Sequence, residues 1–314
     1  MMVASSRRAG ALRRAAVGAT LAPSFYNTQP WRFRLGADRL ELRSDPSRRL
    51  SGHDPDGRMM TISCGCALFN VRVALAAEGV PFAIRRTDAA AVASPTPLAT
   101  VTLRGDDPAA APPEYLPIGE LAPYLDQRRS SRHPVGDGSV PTRVVRHLSA
   151  VAAAEGAVLH ALPTPQRRTV VDELTTQARD AIGTDPFRAA EQRAWSTSAG
   201  YPRPTDPDTV TASPTTDAGT PTLLCATADT PADWLRAGEA LERVLLESTR
   251  AGFQVALSSE IGQDAELRQQ LRERLGIIDI PVLVLRIGHA DPEPPTRRRR
   301  LVDVLDPPPP PGVA

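Results

Sequence analysis

The densest group of chemistry-bearing residues in the chain is the run Ala22-Pro23-Ser24-Phe25-Tyr26-Asn27-Thr28-Gln29-Pro30-Trp31-Arg32-Phe33. Two prolines bracket a short polar stretch, so the backbone between them is stiff and presents amide groups. Asn27 and Gln29 each offer a donor and an acceptor, which suits the edge of a planar heterocycle. The same residues also fit a plainer reading, a loop that stops a helix and is followed by a strand opened by Trp31.

Two further stretches could do chemistry, Gln127-Arg128-Arg129-Ser130-Ser131-Arg132 and the run Arg297–Arg300. Guanidinium groups grip oxyanions through a planar fork. All 37 basic residues are Arg, however, and 36 acidic residues nearly balance them, so a single arginine is weak evidence and bulk charge predicts no nucleic-acid partner. Cys64, Cys66 and Cys225 are too few for a disulfide framework and have no zinc-type cluster beside them; they read as small core residues in a reducing cytoplasm. No metal site is expected. No G-x-G-x-x-G follows a strand, so no separate dinucleotide site is expected either.

The elements that must position these groups follow from periodicity and punctuation. A helix is expected over 5–22, strands over Trp31–Leu35 and Arg39–Arg43 about a turn at Gly36-Ala37-Asp38, and a helix over 58–79 ending at Gly79. Strands are expected over Pro81–Arg86 and Ala99–Arg104, then a linker over 105–118. Helices are expected over 118–130, 141–155 and 165–182, a strand over Thr222–Thr227, a helix over Ala232–Ala251 and a strand over Pro281–Gly288. Residues 196–222 lack periodicity and read as a lid or a mobile segment, with Trp195 just before it and Tyr201 within it. No apolar run approaches a bilayer span, and no membrane partner is expected.

The stretch Gly65–Gly79 aligns without gaps to Gly238–Gly252, with glycine at both ends and shared Ala, Leu and Val positions between. Two Ala/Leu-rich helices agreeing by composition would give this, and so would a duplicated unit whose central helices pack together.

The run Ala-Pro-Ser-x-x-Asn-x-Gln-Pro-Trp-Arg resembles the signature of nitroreductase-like flavoproteins. Asp45-x-x-Arg48, Asp54-x-x-Gly57-Arg58, Ser63-Cys64-Gly65, Arg128-Arg129-x-x-Arg132 and the segment 294–298 are similar, in that order, to the actinobacterial Acg-type branch, so the resemblance spans about residues 10–305. It implies an α+β fold of antiparallel sheet surrounded by helices, built as an internally duplicated pseudo-dimer: a first half over 1–110, a second over 111–305, and a disordered Pro-rich tail over 306–314. It implies FMN as cofactor, with Ser24 among the residues that bind it, Asn27 and Gln29 near the flavin ring, Arg128, Ser130 and Arg132 along phosphate, ribityl and the N1/O2 edge, and Arg298 and Arg299 at the phosphate. No catalytic side chain is assigned, since the flavin carries the redox chemistry. The implied function is hydride or electron transfer to a small-molecule acceptor, with NAD(P)H as candidate reductant. Storage of FMN beneath a lid, with little turnover, is the alternative, and further pairing into a homodimer is left open. Tyr26 departs from the branch, which often has His there, and His133-Pro134 departs from its commoner Pro-Phe or Lys-Phe.

Overall fold

The computed structural model describes residues 2–88, 96–104, 118–132, 135–136, 140–198, 219–291 and 293–307. Most of the expected linker at 105–118, lid at 196–222 and tail at 306–314 lies outside these residues, as do His133, Pro134 and Tyr201.

The middle of the molecule is a crossing of two helices. α2 (Arg58–Ala77) is apolar on every side and buried along nearly its whole length, as a helix without a polar face must be. By length and composition it could cross a membrane, with a mean hydropathy of 1.5 over its most apolar window, but 83% of that window is buried within the molecule. The expectation that no apolar run approaches spanning length is corrected here: the apolar length serves a core. α1 (Met2–Ala19) packs along α2, and so does a second helix from far down the chain, over Pro231–Arg250. The expected helix at 5–22 thus begins earlier and ends at Ala19.

Around α2 lies a four-stranded antiparallel sheet in the order β1-β2-β4-β3, from β1 (Trp31–Leu35), β2 (Arg39–Ser44), β3 (Phe82–Arg86) and β4 (Ala99–Leu103). All four were expected to within a residue. The helix expected over 118–130 does not form. Pro123 lacks an amide hydrogen and its ring clashes with a helical carbonyl, so Ala122–Tyr124 makes one 3-10 turn and Ser130–Ser131 becomes β5.

The second half contains α3 (Thr142–Ala154), β6 (Ala157–Ala161), α4 (Pro165–Thr184), α5 (Pro186–Ser198), β7 (Thr220–Ala226), α6 (Pro231–Arg250), β8 (Gln254–Ser258), a short turn of helix α7 (Glu260–Gln263), α8 (Ala265–Leu275), β9 (Ile280–Gly288) and a final turn α9 (Leu301–Val304). Its sheet runs β5-β8-β9-β7-β6, antiparallel except for the parallel pair β5–β8. The order helix-strand-strand-helix-strand-strand occurs as α1-β1-β2-α2-β3-β4 and again as α3-β6-β7-α6-β8-β9 once the helices between are set aside, α4 and α5 between β6 and β7 and α7 and α8 between β8 and β9. The pairing sequence is also shared: β1-β2-β4-β3 matches β6-β7-β9-β8.

α2 and α6 make the most extensive helix–helix contact among the described residues, and two glycines permit it. A Cβ on Gly65 would lie 2.1 Å from the Leu235 carbonyl oxygen, and one on Gly238 would lie 2.0 Å from that of Ile62. Each glycine therefore meets the carbonyl three residues before the other, a reciprocal approach of two backbones. The two glycines that open the aligned stretches are the contact point. One residue on, the two helices differ. Cys66 lies at a cavity described below, whereas Glu239 is wholly buried and bound by Arg72 (3.0 Å) and Arg86 (2.6 Å). Glu155 joins the same network through Arg72 and Arg243. Burial pushes its carboxyl up, but the two guanidinium groups outweigh burial and hold it below the ordinary value.

Replacing Gly238 by Ala forces a methyl into a carbonyl on a rigid helix. The expected cost is about 3 kcal/mol, at the upper end for overpacking, read as a lowered denaturant midpoint with an unchanged slope.

Candidate functional site

A cavity of about 340 Å³ opens beside the helix crossing, where the 23–27 turn, the first half of α2, the 128–132 segment, the end of β8 and a strap at 293–298 converge. Ser24, Asn27, Arg128, Ser130, Arg132 and Arg298 all line it, so six of the eight residues singled out from sequence are brought together across distant parts of the chain. Gln29 and Arg299 do not line it; they hold the segments that do.

The 23–30 loop is conformationally unusual. Tyr26, Asn27 and Gln29 all have positive φ (47°, 52° and 48°), a region that side-chain-bearing residues adopt at a cost of about 1 kcal/mol or more each. Specific bonds hold it there. The Ser24 hydroxyl accepts the Gln29 amide (2.9 Å), and the Ser63 hydroxyl on α2 accepts the Phe25 amide (3.2 Å) while donating to the Met59 carbonyl (2.7 Å). α2 is itself fixed at its start. The Asp54 carboxylate accepts the Met59 and Met60 amides (2.9 and 2.8 Å), and buried Arg58 donates to the Gly262 and Pro281 carbonyls (both 2.9 Å). Burial lowers the Arg58 guanidinium to about 10, with the nearby Arg268 charge adding to the effect.

The strap crosses the loop and is bound to it by amides. Asn27 donates to the Arg297 carbonyl (3.1 Å) and accepts from Arg298 (3.1 Å), while the Gln29 side chain donates to the Arg297 carbonyl (3.3 Å) and accepts the Arg299 amide (2.6 Å). The Arg299 guanidinium bonds the Gln29 carbonyl (3.0 Å), the Asp45 carboxylate (3.1 Å) and the Asp303 carbonyl (2.6 Å). The amide groups expected at a heterocycle edge thus spend much of their bonding on the protein, and only Asn27 of the two also reaches the cavity.

Among the charged groups that line the cavity, one pair of like charges meets at a single point. Arg128 and Arg298 both donate to the Leu21 carbonyl oxygen, at 3.3 and 3.2 Å, so two guanidinium groups crowd one point at the cavity wall. Arg128 is almost fully buried and also donates to Ser130 (3.3 Å). Two clustered guanidinium groups in a partly dry wall make a seat for an oxyanion. Behind them stands Glu242 on α6, wholly buried, 3.6 Å from Arg128. The Asn70 side chain on α2 reaches its carboxyl, and no second carboxylate-binding cation lies as near as Arg128 among the described residues. Burial pushes its carboxyl up to about 7 against the pull of Arg128 and Arg298.

Sequence reasoning missed several residues here. Glu242 carried a readable signal, a carboxylate within the apolar stripe Leu235-Gly238-Leu241-Leu245 of α6. Tyr26 also lines the cavity, and its hydroxyl lies 3.4 Å from Nε2 of buried His53, whose Nδ1 is 2.8 Å from Glu191 on α5. His53 and Glu191 are 138 positions apart and no local pattern links them. Glu191 also accepts the amides of Gly52 and His53, and Arg48 lies over the Trp195 ring at 5.0 Å, so α5 is clamped above the 23–27 turn with Gln192 at the cavity. Trp195 is therefore engaged with Arg48. The three cysteines are buried and free, as expected of core residues, and burial raises all three thiols. Among the described residues no cluster could hold a metal.

No protein-family model matches the chain. Among proteins of Mycobacterium tuberculosis (strain H37Rv), it is 31% identical to "Putative NAD(P)H nitroreductase Rv3131" over 92% of this chain and 89% of the relative. It is 27% identical to "Putative NAD(P)H nitroreductase acg" over 90% of this chain and 92% of that one. Among solved structures, the FMN and NADPH-dependent nitroreductase NfnB from sphigopyxis sp. strain HMH aligns at 20% identity with a TM-score of 0.44, covering 59% of this chain and 97% of its own. The FMN-dependent NfnB from Mycobacterium smegmatis in complex with NADPH aligns at 14% identity with a TM-score of 0.36, covering 55% and 89%. These structural likenesses are too loose to transfer any residue.

Replacing Gln29 by Ala removes the anchor of the strap without emptying the cavity wall. The variant is expected to lose about 2 kcal/mol through the unmade bonds and to be cut by trypsin within Arg297–Arg300 faster than the parent.

Proposed function

We propose that this chain, which belongs to the nitroreductase family alongside the mycobacterial Acg proteins, holds FMN in the cavity beside the α2–α6 crossing and uses it to reduce a small-molecule acceptor. The observation that carries the reading is the convergence of Arg128 and Arg298 on the Leu21 carbonyl, within a cavity that Ser24, Asn27, Ser130 and Arg132 also line. A phosphomonoester dianion suits that pair, since it offsets two crowded like charges through charge-assisted bonds. The cavity volume of about 340 Å³ falls in the range of small-molecule sites, roughly 300–1,000 Å³. The residues present therefore fit the group.

When bound, FMN supplies the hydride and electron chemistry, so no nucleophile or metal is required of the protein. The protein's own tasks are binding and orientation. Arg128 and Arg298 hold the phosphate. Arg132 and Ser130 hold the ribityl chain and the N1/O2 edge, where a cation stabilises negative charge. Asn27, kept at positive φ by the Ser24 and Ser63 bonds and by the strap, presents its amide to the ring. Gln29 and Arg299 act at one remove, through the strap. The repeated element order and the reciprocal glycine contact support reading the chain as two nitroreductase-like halves fused, with the cavity drawing residues from both.

A second reading is storage of FMN. It is favoured by α5, which the Glu191–His53 and Arg48–Trp195 contacts clamp over the turn at the cavity.

The purified protein is expected to be yellow, with FMN identified by mass after release. Anaerobic NADPH or NADH should bleach it; bleaching by dithionite alone would favour storage, and a colourless protein that takes up no FMN would remove the proposal. Arg128→Ala and Arg298→Ala should each weaken FMN binding about tenfold or more, as expected for a lost charge-assisted bond, and leave riboflavin affinity within about twofold because riboflavin has no phosphate.

A further inference from the structure

We propose that Glu242 is the buried counter-charge of the anion seat, and that filling the seat is coupled to protonation of its carboxylate. The inference rests on the seat read above, and it concerns a residue that touches the ligand only through Arg128.

Three features of the geometry carry it. Glu242 lies wholly inside the molecule, where a carboxylate is expensive unless well paired, and its support is the Arg128 guanidinium at 3.6 Å, the more distant Arg298 charge and the neutral Asn70 amide. The Arg128 Nε on that side is buried without a hydrogen-bond partner among the described residues. Arg128 turns its other nitrogens toward the cavity side, to Leu21 and Ser130, and meets Arg298 at the Leu21 carbonyl. One pair of guanidinium groups therefore has acid behind it and an open cavity before it.

The other groups around Glu242 bring no further charge to it. From α2, the Asn70 amide bonds the carboxyl as well as the Gly18 carbonyl (3.4 Å), a neutral donor whose effect burial outweighs, and Cys66 is held as a neutral thiol by burial. From α3, His147 pairs with Glu247 (3.2 Å) instead. On the strap only Arg298 acts on it, and on the 128–132 segment only Arg128.

The coupling has a definite sign. An anion seated on Arg128 and Arg298 competes with Glu242 for the same positive charge and repels the carboxylate. Binding therefore favours the protonated carboxyl, whose acidity burial has already moved to about 7. Below that pH the carboxyl is already neutral and binding takes up no proton. Above it, binding must bring a proton in, and affinity falls as pH rises, by at most about tenfold per unit for one proton.

The test is calorimetric titration of the apoprotein with FMN, in buffers of differing ionisation enthalpy, on the parent and on Glu242→Gln. The parent should take up a fraction of a proton on binding at pH 8, and E242Q should take up none beyond that owed to the phosphate itself. E242Q should bind FMN as the parent does at pH 6 and about tenfold more tightly at pH 8.5, the equivalent of one unit of proton affinity. Riboflavin should show neither effect. A proton count equal in the two proteins, or an affinity ratio flat with pH, overturns the coupling. The parent's own proton count decides the matter if E242Q does not fold. If the parent binds no FMN at any pH, the cofactor reading falls, and inorganic phosphate titrated in the same buffers decides the coupling alone: no proton uptake at pH 8 overturns it.

Discussion

Gly65 and Gly238 allow α2 and α6 to approach until backbone meets backbone, and most of the molecule is arranged around that approach. Because the helices touch through main chain rather than through interposed side chains, neither can rotate or slide without a collision. The rows of side chains flanking the contact are thereby fixed in height and direction. On one flank those rows include Ile62, Ser63, Cys66 and Leu241 at the cavity. On the other they include Arg72 and Glu239. The two sheets pack outward from this pair of helices, and both strand orders follow the same plan.

Charge is handled in this chain by arginine alone, which has structural consequences. Guanidinium groups reach carbonyls as well as carboxylates, and the molecule uses that reach to tie distant segments: Arg58 joins α2 to the 262 and 281 carbonyls, and Arg299 joins the strap to Asp45 and Gln29. Such ties are buried or half-buried. Arg128 and Arg298 differ from them. They share a single carbonyl at the wall of a cavity, so two guanidinium groups meet there.

Much of this was legible in the sequence, for identifiable reasons. The first four strands and α2 announce themselves because alternation, Gly36-Ala37-Asp38 and Gly79 are local signals. The helix expected at 118–130 failed on Pro123, a local breaker outvoted by the charged residues around it. β8 went unread because its five residues take their stability from β9, a tertiary partner that leaves no periodic trace, whereas α8 carried a readable signal in Leu267, Leu271 and Leu275 at four-residue spacing between Asp264 and Gly276. At the site, residue types pointed to Ser24, Asn27, Arg128, Ser130, Arg132 and Arg298, and these do meet. What composition could not separate was a side chain at the cavity from one holding the cavity's wall, which is the difference between Asn27 and Gln29 and between Arg298 and Arg299. Glu191 was beyond reach for another reason: its meaning depends wholly on His53, supplied by a different part of the chain.

The two flanks of the glycine crossing also bear on how such a molecule can change. Were the two helices copies of one gene product, a substitution after the glycine would appear on both sides at once, and a carboxylate suited to one flank would be forced into the other. With both helices on a single chain, Cys66 and Glu239 can be chosen separately. One flank can be kept open for chemistry while the other is closed with buried ion pairs that stiffen the frame. The crossing also survives dilution, since the partner helix is never farther away than the length of its own polypeptide.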